Sequence, residues 1–120
     1  MKKEKIFEYA KKYFDSEPEY LWKNTPDCCI LRNKSNKKWY AVLMNIEKEK
    51  LRLPGNEKIY ILNVKCDPII AGSFTKQKGF LPAYHMNKEH WISIIIDHAK
   101  DSQIFDMLHS SFDIVNQIHK

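Results

Sequence analysis

The stretch Ile59-Tyr60-Ile61-Leu62-Asn63-Val64-Lys65-Cys66-Asp67-Pro68 decides the fold class. Its first seven residues are mostly branched or aromatic, the composition of a β-strand. Asp67-Pro68 then opens a helix. Asp is a favoured N-cap, and Pro at the first helical position gives up an N–H that has no intrahelical partner. The helix runs through Ile69, Ile70 and Phe74 and stops before Gly79, after which residues 82–89 read as an irregular loop. His90 to Asp97 is a further strand, with Trp91, Ser93 and Ile95 alternating against Ile92, Ile94 and Ile96. Asp101 is expected to cap a last helix whose apolar face carries Ile104, Leu108, Ser111, Phe112, Val115 and Ile118.

Upstream, Pro54-Gly55-Asn56 is a turn and residues 47–53 are a charged connection, with a short strand over Lys50 to Leu53 as one reading. Cys28 to Arg32 and Trp39 to Ile46 read as two strands of a hairpin whose tip, Lys34-Ser35-Asn36-Lys37-Lys38, is basic. Lys3 to Phe14 is an amphipathic helix, with Ile6, Phe7, Ala10, Tyr13 and Phe14 on one side. The order is helix, strands, helix, strand, helix. It implies one α+β domain over residues 1–120, an antiparallel sheet with helices packed on one face.

The chain has 120 residues, 43% of them hydrophobic, enough for a core without metal or disulfide support. Its apolar runs, such as Ile94 to Ile96, fall far short of the roughly 20 residues that span a bilayer, so no membrane association is expected. The basic start Met1 to Lys5 is not followed by the apolar segment of a signal peptide. Three cysteines, two of them adjacent, point to reduced thiols and a cytoplasmic protein.

Charge is unevenly placed. Between Arg32 and Arg52 lie Arg32, Lys34, Lys37, Lys38, Lys48, Lys50 and Arg52 against Glu47 and Glu49, a surplus equal to the whole net charge of +5. Such a surplus is the footprint of a polyanion-binding surface, although a solvated Lys-rich turn has the same composition. Only two of the twenty basic residues are Arg, which favours phosphate contact over base reading. Trp39, Tyr40 and Trp91 offer stacking faces, but each tryptophan begins a strand of bulky residues, and core packing is the expected role.

The densest group of functional side chains is Tyr84-His85-Met86-Asn87-Lys88-Glu89-His90-Trp91. His85 and His90 are five apart, not the three or four of a helical metal pair, so neither a metal nor another cofactor is expected. His85, Asn87, Lys88 and His90 have the donors to hold an anion, and equally the groups to tie down a loop. Cys66, beside Lys65 and a helix start, sits where a thiol pKa can fall, but no motif pairs it with a base. No Gly-rich phosphate loop, nucleophile elbow or carboxylate pair is present, so no catalytic residue is assigned and no enzyme is expected.

Three blocks resemble a known family. They are Asn36-Lys37-Lys38-Trp39-Tyr40-Ala41-Val42-Leu43-Met44, then Leu62 to Pro68, then Pro82-Ala83-Tyr84-His85-Met86-Asn87-Lys88-Glu89-His90-Trp91-Ile92. Together with Trp22, Thr25-Pro26-Asp27 and Ser110 to Val115 they are similar to the signature of the MmcQ/YjbR family. The resemblance implies a CyaY-like α+β fold and a double-wing, non-catalytic DNA-binding protein. The wings would be the basic hairpin and the connection after it, with Lys34, Lys37, Lys38, Lys48, Lys50 and Arg52 on phosphates and Arg32 and Lys88 as additions. Frataxin-like iron binders of this fold use an acidic helix face. Here Lys2, Lys3, Lys5, Lys11 and Lys12 stand among Glu4, Glu8 and Asp15, so that ridge is absent. The alternative expectation is a protein-interaction or small-anion module centred on His85 to Trp91.

Overall fold

The computed structural model describes residues 1–116. Helix α1 (Lys3–Phe14) is followed by strands β1 (Cys29–Arg32) and β2 (Trp39–Glu47) and a single 3-10 turn (Lys48–Leu51). Then come β3 (Lys58–Lys65), α2 (Pro68–Phe74), β4 (Phe80–Pro82), β5 (Trp91–Ile95) and α3 (Asp101–Asn116). The strands form one antiparallel sheet in the order β1-β2-β3-β5-β4. This is the α+β architecture with helices on one face that the sequence implies.

The helices cover one face because their apolar stripes match it. Ile6, Ala10 and Phe14 of α1 and Ile104, Leu108, Ser111 and Val115 of α3 are buried. They pack with Leu43, Leu62, Val64, Ile92 and Ile94 of the sheet. Asp67 caps α2 by accepting the Ile69 N–H at 2.9 Å, with Pro68 at the first position. The other face is also buried, but under loops. Ile30, Val42 and Trp91 gather there with Ala83, Trp39, Met44 and Met86, and Ile59, Ile61 and Ile95 gather with Leu51, Leu53, Leu81 and Tyr84. Double coverage is why adjacent Cys28 and Cys29 are both buried, one beneath the loops and one beneath the helices.

A bulge near the start of β2 sets which side chains reach which face. Leu31 pairs with Ala41 but Arg32 pairs with Trp39, leaving Tyr40 as the extra residue. Tyr40 and Ala41 therefore both join the helix-side core, while Trp39 turns to the loop side with Val42 and Met44. The Ser111 hydroxyl donates to the Tyr40 carbonyl at 2.6 Å, and the Ser111 Oγ in turn accepts the Lys65 N–H at 2.9 Å.

Four local expectations differ from the structure. Residues 50–53 are no strand, since residues 48–51 make the 3-10 turn, closed by Arg52 in the left-handed region (φ 59°). Strand β4 (Phe80–Pro82) is not expected from the sequence and takes in Pro82, the first residue of the expected loop over residues 82–89; the proline is tolerated because β4 lies at the sheet edge. Asp101 sits inside the first turn of α3, and Gln103 Oε1 accepts the N–H of Lys100 at 3.4 Å, half of a capping box. Tyr13, read as part of the apolar face of α1, is exposed. Ile118 lies outside the described residues, and among those described no helix is long and apolar enough to cross a membrane.

Candidate functional site

On the loop-covered face, the connection between β4 and β5 is fastened to the sheet by a buried polar network. Asn63 of β3 and Ser93 of β5 stand opposite each other in register, and both are fully buried. The Ser93 hydroxyl donates to Asn63 Oδ1 and accepts the Tyr84 N–H at 2.8 Å. Asn63 Nδ2 donates to the Tyr84 carbonyl at 3.2 Å. Both backbone polar groups of Tyr84 are thus held by the sheet, and the chain leaves it with His85 in the left-handed region (φ 58°). For a residue with a β-carbon that conformation costs about 1–2 kcal/mol, and strain of this kind concentrates at functional sites. The Tyr84 and His85 rings lie edge to face, 4.1 Å apart.

His85 and Lys88 from this connection meet Lys50 and Arg52 from the β2–β3 connection across a cleft of about 620 Å³. Leu51, Leu81, Pro82, Ala83 and Tyr84 complete its lining, which contains no acidic side chain among the described residues. Lys50, Arg52, His85 and Lys88 are exposed, and none forms an ion pair with a described residue. Three permanent cations and an imidazole facing one concavity create a local positive potential that attracts anions.

Beside it lies a second cavity of about 450 Å³ whose lining includes Trp22, Trp39, Met44 and Met86. It shares Lys50, Tyr84 and His85 with the first and likewise has no acidic lining residue among those described. Trp22 and Trp39 meet at right angles, 5.8 Å between ring centroids. Trp91 is buried in the core as the sequence implies, whereas Trp39 is half-buried on a cavity wall.

The remaining candidates fall elsewhere. Lys34, Lys37 and Lys38 sit at the opposite end of β2 from Lys48, Lys50 and Arg52, about 30 Å away at 3.3 Å per strand residue. That exceeds three Debye lengths at physiological salt, so the two groups do not act as one surface. The hairpin tip is fastened to the helices. Asn33 Nδ2 donates to Asn116 Oδ1 and Asn36 Nδ2 to the Val115 carbonyl, both at 2.8 Å. Lys34 pairs with Asp15 at 2.8 Å and Arg32 with Glu19 at 2.8 Å, and the groove there also contains Glu17. Lys48 pairs with Glu57 at 2.6 Å. In the loop, Asn87 Oδ1 accepts the Glu89 N–H at 2.8 Å and its carbonyl accepts the Trp91 N–H at 2.9 Å, so Asn87 closes a turn. The His90 side chain is exposed and lines neither cavity.

The thiols do not match the reactive environment expected of Cys66. Burial pushes its pKa up and the Asp67 carboxylate adds to the shift, outweighing any help from Lys65 and the helix start. Burial also raises Cys28, and it pushes Cys29 up to about 11. Sequence reasoning missed Asn63 and Ser93. Their signal is a polar residue at the centre of each of two otherwise apolar strands, Ile-Leu-Asn-Val and Trp-Ile-Ser-Ile-Ile.

The chain is 41% identical to the uncharacterized protein YyaQ of Bacillus subtilis (strain 168), over 93% of this chain and 96% of that one. A Pseudomonas syringae protein has been solved twice. Its crystal structure superposes with a TM-score of 0.92 at 36% identity, covering 95% of this chain and 98% of that one. Its solution NMR structure gives 0.88 at 35% identity, covering 100% and 97%. A Deinococcus radiodurans protein with a DUF419 domain shares the fold at 17% identity and a TM-score of 0.72, over 95% of this chain and 78% of that one. The YjbR family model matches residues 12–114, which span the cationic cleft, the network beneath it and both connections that supply its cations, and the chain belongs to the YjbR family.

Proposed function

We propose that this chain is a non-catalytic DNA-binding protein whose contact surface is the cleft formed by Lys50, Arg52, His85 and Lys88. The observation that carries the reading is their convergence. Two connections more than thirty residues apart in sequence deliver cations with no ion-pair partner among the described residues to one concavity whose described lining contains no acid. Lys37 and Lys38 stand apart as secondary contacts, while Arg32, Lys34 and Lys48 are already engaged by Glu19, Asp15 and Glu57. Five of the six donors named in the cleft and tip are lysine or histidine, so the expected contacts are to phosphate, with weak sequence preference.

Three permanent cations on phosphates set the salt dependence. The log–log slope is about −3 for a duplex and about −2 for a single strand. Affinity measured by anisotropy of a labelled oligonucleotide then falls about 20- to 40-fold between 50 and 200 mM salt. A slope near zero, or no binding at 50 mM salt by the folded protein, removes this reading. A second reading, a small-anion site, is favoured by the size of the cleft, which lies within the roughly 300–1,000 Å³ typical of small-molecule sites.

A further inference from the structure

The aromatic cavity beside the cationic cleft has features that phosphate binding does not need. Trp22 is 37% exposed and Trp39 is half-buried, and their indoles meet at 90° as two adjoining walls. The Met44 and Met86 thioethers, polarizable and adaptable in shape, add to the lining. Flat, polarizable walls favour a planar ring, and the shared Lys50 and His85 favour one attached to an anionic group. No acidic side chain opposes that charge in either lining among the described residues.

We infer that the cavity walled by Trp22, Trp39, Met44 and Met86 receives an unstacked nucleobase while the adjoining cations hold its phosphate. This rests on the cationic cleft binding DNA and deepens it, since a base is free to enter only from a single strand or a flipped-out position. Lys50, Tyr84 and His85 form the partition between the two cavities, so base and phosphate sit on either side of one short boundary. Stacking on aromatic walls tolerates any base, consistent with weak sequence preference.

The test compares two labelled eight-nucleotide strands by anisotropy at 50 mM salt, an oligothymidylate and an abasic strand with the same phosphates. The oligothymidylate should bind about five- to a hundredfold more tightly. Trp22→Ala should bring it close to the abasic level while lowering the melting temperature by no more than about 6 °C, the loss of its edge-to-face contact with Trp39. Trp39→Phe should retain an intermediate preference, which checks the wall without emptying the cluster. Equal binding of the two strands by the wild type overturns the inference and leaves the phosphate cleft intact. Binding of neither strand overturns the DNA reading itself. Thymidine monophosphate is added as competitor. Weak competition supports a strand as the source of the nucleotide, and competition equal to that of the octamer overturns the strand in favour of a free nucleotide.

Discussion

Replacing Ser93 by Ala tests whether the polar network holds the site. The hydroxyl donates to Asn63 Oδ1 and accepts the Tyr84 N–H, and Ser93 and Asn63 are both fully buried. Its removal strands two polar groups, one in the sheet interior and one in the loop above it. An unsatisfied buried group costs about 1–3 kcal/mol, and the partly buried Tyr84 N–H falls at the low end. The expected loss is about 2–4 kcal/mol, a large share of the roughly 5–15 kcal/mol that holds a domain together. At this chain length 1 kcal/mol lowers Tm by about 4 °C, so the midpoint should fall by about 8–16 °C. Urea denaturation gives the free energy, and hydrogen exchange at the Tyr84 amide reports the local effect. The Asn63→Ala change should cost less in the Ser93→Ala background than in the wild type, because the shared bond is already gone. A Ser93→Ala variant within 0.5 kcal/mol of wild type with an equally protected Tyr84 amide would refute the reasoning.

Four further outcomes follow from the same geometry. His85→Gly relieves the left-handed strain and should hold or raise stability by up to about 1 kcal/mol while weakening oligonucleotide binding, as read by paired denaturation and anisotropy. Gly79→Ala forces a β-carbon into the left-handed region and within 2.7 Å of the Ala99 backbone nitrogen, so urea denaturation should show a loss of about 2 kcal/mol or more. The buried Tyr40 hydroxyl has no hydrogen-bond partner among the described residues, the Ser16 hydroxyl donating instead to the Arg32 carbonyl at 3.0 Å. Tyr40→Phe should therefore leave stability unchanged or higher by denaturation, since it deletes only an unsatisfied group. Lys34 and Lys11 hold the Asp15 carboxyl below its ordinary value. That pairing favours the folded state at neutral pH and is lost as pH falls through the lowered value, so Lys34→Ala should raise the Asp15 pKa in an NMR titration.

Strands with strong local composition were legible from sequence, and so was α2, because Asp67-Pro68 is a signal independent of tertiary packing. Strand β4 was not, since three residues containing a proline carry no periodicity and depend on the β5 edge for their existence. The bulge at Tyr40 was equally hidden. Alternation through Trp39 and Tyr40 looks regular in sequence, and only the pairing with Arg32 shows that the parity shifts and sends Trp39 to a cavity wall. The charge surplus over residues 32–52 was visible but its grouping was not. Nine strand residues separate the tip lysines from Lys50 and Arg52, and acids distant in sequence, Asp15, Glu19 and Glu57, pair with three of the cations. Proximity in sequence groups the loop residues Asn87 and His90 with His85 and Lys88. Turn formation sends Asn87 to its own backbone and leaves His85 and Lys88 to meet Lys50 and Arg52.

The most direct measurement compares charge reversals at the two ends of β2. Lys50→Glu/Arg52→Glu and Lys34→Glu/Lys37→Glu/Lys38→Glu variants are titrated against the same labelled single-stranded octamer at several salt concentrations. The cleft variant is predicted to bind at least tenfold more weakly, with a log–log salt slope shallower by about 1.4 for the two phosphate contacts removed. The tip variant is predicted to retain affinity within about threefold, since a site beyond several Debye lengths feels little of the change. Loss of binding in the tip variant with retention in the cleft variant would contradict the account and return the contact surface to the hairpin.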